Sequence, residues 1–124
     1  MPVFRAALAL NKAGALRDRI VAVSPGLAAA YDSARAVWRS RDIASAPLAN
    51  NMLMDRDTAA WNGMIGTAQT EVGTCPAIEP ITPVSAMEGR FSWACTHGRV
   101  DGRVQRAPTV AVTLQALEFT SARP

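Results

Sequence analysis

The feature that most constrains this chain is a change of hydrophobic period close to Gly73. Before that point apolar residues recur every three or four positions, the spacing of one helix face. Two such stripes are Leu27, Ala30, Tyr31, Ala34 and Trp38, and Trp61, Met64, Ile65, Ala68 and Val72. Beyond Gly73 apolar and polar residues alternate, as in strands with one buried face. The order predicts an α+β domain whose N-terminal helices pack on a bent C-terminal antiparallel sheet.

The start of the first long helix is indicated by its capping residues. Ser24 can cap the helix, and Pro25 fits the first helical position, where its missing N–H costs nothing. The helix should end within 39–41, because arginine side chains suit the negative end of the helix dipole. We therefore predict one domain at residues 25–124, preceded by a linker or a separate N-terminal helix at residues 1–24.

The second long helix has equally clear ends. Either Asp55 or Asp57 should cap its start, and Gly73 lies where a left-handed C-terminal cap is expected. Gly63 and Gly66 weaken the helix by up to about 1 kcal/mol each. We expect these two glycines to permit close packing against the sheet.

Three antiparallel strands with short connections are predicted after the helices, at residues 87–96, 99–106 and 109–120. The connecting turns are Thr96-His97-Gly98 and Ala107-Pro108. The last strand changes parity, because Leu114 and Leu117 cannot both face the same side of a regular strand. We predict a bulge near Gln115 and Ala116, which would also bend the strand around the helices.

The charge does not indicate a nucleic-acid partner. The net charge of +3 arises from twelve arginines, one lysine and ten acids, and these are scattered along the chain. A nucleic-acid-binding domain more often carries a basic face with interleaved aromatic residues. Binding of nucleic acid or another charged partner is kept as a separate hypothesis. Its candidate contacts are Arg90, Arg99, Arg103 and Arg106.

Membrane insertion and export signals are not predicted within the chain. It contains no run of about 18 apolar residues, so we expect no membrane partner. The start, MPVFRAALALNKAGAL, has only a short apolar run that Asn11 and Lys12 interrupt. We therefore read it as a helix rather than as a signal peptide.

The residues offer no complete catalytic or cofactor site. A Cys95–His97 dyad would share a strand face, but the turn begins there and no third group is evident. His97 is better read as a solvent-facing turn residue, and Asp55 and Asp57 as helix caps. No phosphate loop or nucleotide fingerprint occurs, and two cysteines with one histidine do not complete a zinc site. We predict no catalytic residues, no metal and no cofactor.

The cysteines and the aromatic residues are the remaining candidates. Cys75 and Cys95 allow one internal pair, and free buried thiols are the alternative. Their positions beside predicted element boundaries favour a disulfide. The aromatic side chains sit at core spacing, although a concave sheet closed by helices can leave a pocket that they would line. The candidate pocket residues are Tyr31, Trp38, Trp61, Phe91 and Trp93.

Three stretches resemble a known accessory domain: LANNMLMDRDTAAWNGMIGTAQTEVGTC, AMEGRFSWACTHGRVDGRV and APTVAVTLQALEF. Together they are similar to a small C-terminal domain that follows the catalytic part of exported serine hydrolases of the beta-lactamase and penicillin-binding-protein type. The matching features are Gly73 with Cys75, Cys95 before Gly98, Ala107-Pro108-Thr109, and Leu114-Gln115-Ala116-Leu117. The likeness covers about residues 25–120, and its motifs are mostly spacings of small residues. It implies the cystatin-like fold of nuclear transport factor 2.

The resemblance implies a function that differs from that of the hydrolases themselves. The Ser-x-x-Lys, Ser/Tyr-x-Asn and Lys-Thr-Gly motifs of the catalytic part are absent, and the sole lysine, Lys12, fits none of them. We therefore expect a non-catalytic, extracytoplasmic accessory domain. Its partner would be the parent's catalytic domain or a second copy of the chain, and its role domain packing, dimerisation or covering of the substrate cleft. The alternative is a stand-alone cystatin-like protein that binds a small apolar ligand in its pocket.

Overall fold

The computed structural model describes residues 21–123, so most of the predicted linker or helix at residues 1–24 lies outside the described residues. Within that range, helix α1 spans Pro25–Ser40 and helix α2 spans Thr58–Val72. Two short 3-10 helices lie between them, η1 at Ile43–Ser45 and η2 at Asn50–Leu53. The four strands follow: β1 is Thr82–Pro83, β2 is Glu88–Cys95, β3 is Gly98–Arg106 and β4 is Leu114–Ala122. The strands form one antiparallel sheet in the order β1-β2-β3-β4. Both α-helices pack against β3 and β4. The predicted α+β class is confirmed.

Helix α1 begins and ends where its sequence predicts. The Ser24 hydroxyl accepts a hydrogen bond from the Leu27 amide at 3.0 Å, and Pro25 occupies the first helical position. Arg41 closes the helix in the left-handed region with a φ of 57°. The apolar stripe faces the sheet and is buried: Leu27, Ala30, Tyr31, Ala34, Val37 and Trp38.

The segment between the α-helices differs from the sequence-based expectation. Asp42 followed by an apolar spacing predicts one short helix, but the chain forms η1 and η2 instead. Pro47 lies between them, where its lack of an N–H prevents a continuous helix. The Pro47 carbonyl accepts the Leu114 amide at 2.9 Å, and the Leu114 carbonyl accepts the Ala49 amide at 2.8 Å. The segment therefore fastens the start of β4 to the helical layer.

Helix α2 is capped by Asp57, whose carboxylate accepts the Ala60 amide at 2.8 Å. Gly73 ends it with a φ of 79° and a ψ of −147°, so the φ is positive but the predicted left-handed helical cap is not formed. The prediction for Gly63 and Gly66 is wrong, since a Cβ at either position would meet no atom within 4 Å. Both glycines lie on the side of α2 that faces away from the core.

The register of the sheet confirms the predicted bulge. Gln105 pairs with Ala116 and Arg106 pairs with Leu114, which leaves Gln115 as the extra residue on β4. The Asn51 side-chain amide donates to the Gln115 carbonyl at 2.8 Å, so the bulged backbone group is satisfied.

The predicted start of the last strand at residue 109 is wrong. Residues 107–113 form a loop that is closed by a hydrogen bond from the Ala107 amide to the Thr113 carbonyl, at 2.9 Å. Pro108 cannot donate to a ladder, and the Val110 side chain is fully exposed. The alternation of valines in this loop therefore does not reflect a buried strand face.

Candidate functional site: the outer face of the sheet

Four of the five candidate pocket residues form one packed aromatic cluster in the core. Phe91 and Trp93 stack at 4.5 Å between ring centroids, and Tyr31 lies 5.3 Å from Phe91. Trp38 packs 5.6 Å from Trp93 and 5.1 Å from Phe119. Because the rings contact one another, they occupy the space in which an apolar ligand would lie.

The polar atoms of this cluster are also satisfied internally. The Trp93 indole N–H donates to the Tyr31 hydroxyl at 2.8 Å, and that hydroxyl donates to the Glu79 carbonyl at 2.5 Å. Trp61, the fifth candidate, lies apart under η2, where its indole donates to the Met52 carbonyl at 3.1 Å. These hydrogen bonds assign the rings a structural role.

The predicted disulfide between Cys75 and Cys95 is confirmed. With its sulfur in this bond, Cys95 has no thiolate to act as a nucleophile beside His97. His97 is an exposed turn residue, as predicted, and its ring lies against Gly73, where an added Cβ would be 3.0 Å from it. Its φ is not positive, so the turn does not need the left-handed backbone that histidine tolerates better than most residues.

The outward-facing polar side chains gather on the solvent side of the sheet. We call this surface the docking face; its residues are Thr82, Arg90, Ser92, Asp101, Arg103, Glu118 and Thr120. They line an open cleft of about 610 Å³ across β1 to β4. A smaller cleft of about 270 Å³ adjoins it around β4 and shares Arg103 and Glu118. The side chains next to Phe91 and Gly102 along the strands point outward, so the backbones of these two residues form the floor of the larger cleft.

Most charges on the docking face have an ion-pair partner on the face or directly beside it. Arg103 binds Glu118 at 2.9 Å and Glu88 at 3.6 Å. The hydrogen bond from Arg103 is the main reason why the pKa of Glu118 lies below its usual value, and the same bond raises the pKa of Arg103. Asp101 pairs with Arg99 at 3.1 Å and accepts the Ser92 hydroxyl at 2.7 Å.

Arg90 is the exception on this face. It is exposed, and among residues 21–123 its guanidinium has no hydrogen-bond or ion-pair partner. It lies directly opposite Arg103 in the β2–β3 register. Like charges in directly opposed positions of a sheet are destabilising, and the attraction between Arg90 and Glu118 is only the smallest of the effects that lower the pKa of Glu118.

The sequence identified part of this face. Arg90 and Arg103 were among the candidate contacts for a charged partner. Glu118 and Thr120 were not singled out, although the predicted bulge places them on the side opposite Leu117 and Phe119. Arg106, a candidate for a charged partner, instead folds onto Gly26, where a Cβ would lie 1.8 Å from its Nη1 atom.

The part of the chain that the structure describes contains no cluster of three or more histidine, cysteine or acidic side chains suited to a metal. Nor does that part contain a helix with the length and apolarity needed to cross a bilayer. No known protein family, curated protein or solved structure matches the chain.

Proposed function

We propose that residues 25–124 form a non-catalytic accessory domain of an exported serine hydrolase of the beta-lactamase type, and that the docking face packs against its catalytic domain. The observation that carries this proposal is Arg90. An arginine in a cleft that has no ion-pair partner among residues 21–123 is suited to bind a carboxylate of another domain through two parallel hydrogen bonds. Arginine is also frequent among the residues that dominate interface energetics.

The other charges of the docking face fit the same role. Arg99 with Asp101, and Arg103 with its two glutamates, are already neutralised, so they can form the polar rim of an interface without a desolvated lone charge. The disulfide supports an extracytoplasmic location, because such bonds persist in oxidising compartments.

Two alternatives receive less support from the geometry. A stand-alone apolar pocket is disfavoured because Tyr31, Trp38, Phe91 and Trp93 pack on one another. A basic nucleic-acid surface is disfavoured because Arg99 and Arg103 are neutralised and Arg106 is folded against α1. A second copy of the chain remains the alternative occupant of the docking face.

The gene that encodes the chain provides the first test. We expect a domain with a Ser-x-x-Lys motif in the same protein, upstream of Met1. If the encoded protein holds no such domain, the assignment as a hydrolase accessory domain is wrong.

The second test addresses the docking face by itself. The chain and the catalytic domain are produced separately, and their association is measured by calorimetry. Arg90→Glu should weaken binding at least tenfold, because it places two like charges across the interface. Arg123→Glu is the matched control, since Arg123 is exposed but lies outside the docking face. Equal loss in both variants, or in neither, would show that another surface docks.

A further inference from the structure

The segment Thr74–Ile81, between α2 and β1, covers the side of the core; we call it the strap. Ala77 is fully buried and Ile81 is 8 % exposed, so the strap closes the core next to the aromatic cluster. The Glu79 carbonyl of the strap accepts a hydrogen bond from the Tyr31 hydroxyl. Removing the strap would therefore uncover Tyr31 and the Trp93 indole bonded to it.

Besides the hydrogen bond from Tyr31, few polar interactions hold the strap. Its carbonyls at Pro76 and Ala77 accept long hydrogen bonds, each 3.4 Å, from arginine side chains of α1. On the sheet side the Thr96 amide donates to Thr74, and the Ala94 amide donates to the Glu79 carboxylate. Regular ladder pairing begins only at Thr82. The strap is thus attached by side chains and isolated bonds rather than by secondary structure.

The closed strap also carries local costs. Ala77 adopts a φ of 56°, a left-handed conformation that is unfavourable for a residue with a Cβ. The Glu79 Oε1 atom is buried without a hydrogen-bond partner among the described residues. Both costs are relieved if the strap opens, and they offset part of what the burial of Ala77 and Ile81 contributes, so a further fastening favours the closed state.

That fastening is the Cys75–Cys95 disulfide, which joins the root of the strap to the end of β2. The bond can be reached from solvent. Cys95 is partly exposed and lines an open cleft of about 550 Å³, together with Arg99 and Arg123. The Arg99 guanidinium is paired with Asp101, so the charge that attracts an anionic reactant and favours a thiolate over a thiol is that of Arg123.

We propose that the Cys75–Cys95 disulfide is a thiol-exchange site for an anionic dithiol, and that its reduction releases the strap. The thiolate of the dithiol attacks Cys95 Sγ; a mixed disulfide forms and the Cys75 sulfur leaves as a thiolate. The second thiol of the reagent then attacks the mixed disulfide and releases Cys95. The dithiol is oxidised to its own disulfide, and the two cysteine thiolates take up protons. Apart from the peptide backbone at its two ends, the disulfide is the covalent link between the strap and the rest of the described residues.

The cleft is tested by reduction rates with two reagents, dimercaptosuccinate, which is anionic, and dithiothreitol, which is neutral. Free thiols are trapped by alkylation and counted by mass spectrometry. Arg123→Ala should slow reduction by dimercaptosuccinate at least threefold and leave the dithiothreitol rate unchanged. Arg56→Ala, the matched control at an exposed arginine outside the cleft, should change neither rate. Equal slowing of both reagents, or no slowing by Arg123→Ala, would overturn the role of the cleft.

Release of the strap is tested by amide hydrogen exchange in the oxidised and reduced chain. The Ala94 and Thr96 amides, which donate to the strap, should exchange at least about tenfold faster after reduction, because the strap can then open without unfolding of the sheet. Amides of the β3–β4 ladder should keep their protection. The Cys75→Ser/Cys95→Ser variant should reproduce the reduced state. Unchanged protection at Ala94 and Thr96, or loss of protection throughout the ladder, would each refute a local release.

Discussion

Replacing Gly102 with alanine tests how tightly the inner face of the sheet is packed. Gly102 lies opposite Phe91 in the β2–β3 register, and the Phe91 ring covers it. An added Cβ would lie 2.0 Å from Phe91 Cζ and 2.8 Å from the Glu118 carbonyl oxygen. Both distances are far inside van der Waals contact, and neighbouring strand backbone cannot retreat without breaking the ladder. The Phe91 ring must therefore move.

The cost follows from what the Phe91 ring contacts. It stacks on Trp93 at 4.5 Å and packs 5.3 Å from Tyr31 and 6.0 Å from Phe119. Overpacking a core typically costs about 1–3 kcal/mol. Complete loss of the ring from the cluster, as in a substitution of phenylalanine by alanine, would cost about 3–5 kcal/mol. We expect Gly102→Ala to lower the free energy of unfolding by about 3 kcal/mol, between these limits.

Urea unfolding measures this loss, and Gly63→Ala is the matched control. The same methyl group at Gly63 meets no atom within 4 Å, so it should stabilise α2 by about 1 kcal/mol through helix propensity. Phe91→Leu in the Gly102→Ala background should recover part of the loss, because the smaller side chain makes room. If Gly102→Ala unfolds at the wild-type urea concentration, or the two losses simply add, the steric explanation is wrong.

Two further predictions concern polar groups beside the core. Tyr31→Phe leaves the buried Trp93 indole N–H unpaired, so we expect the free energy of unfolding to fall by about 1–3 kcal/mol in urea; a change near zero would contradict this. The Ala94 amide is the main reason why the pKa of Glu79 lies below its usual 4.5, so Glu79 stabilises the fold above that pH and loses this effect as the pH falls through its folded pKa. Glu79→Gln should therefore flatten the fall in melting temperature below pH 4.5. The flattening should be partial, because the pKa of Glu118 is lowered as well. If the variant and the wild type lose melting temperature equally with falling pH, Glu79 does not contribute to this pH dependence.

The sequence predicts the helices well because their signals are local. Ser24, Pro25 and Asp57 act on amides within three residues of themselves, so their roles do not depend on the rest of the fold. The bulge at Gln115 was also predictable, since a change of parity within one strand requires an extra residue.

Longer-range features escaped prediction for a physical reason. Alternating valines before Leu114 have the pattern of a strand, yet strand pairing needs a partner, and residues 107–113 have none in the sheet. Likewise, Gly63 and Gly66 suggest close packing, but which side of α2 meets the sheet is decided by Trp61 and Ile65 on the opposite side. Propensity and period specify what a segment can form, whereas contact between segments decides what it does form.

The candidate site depends on this longer-range information even more strongly. Strand parity identifies the outward-facing arginines of β2 and β3, but it does not distinguish one of them from another. Only the register shows that Arg103 lies between two glutamates whereas Arg90 faces another cation. A sheet selected for stability alone would place an acid or a neutral residue at position 90. Under the proposed function Arg90 binds a carboxylate of another domain, so Arg90→Gln should unfold no more easily than wild type in urea while binding its partner more weakly.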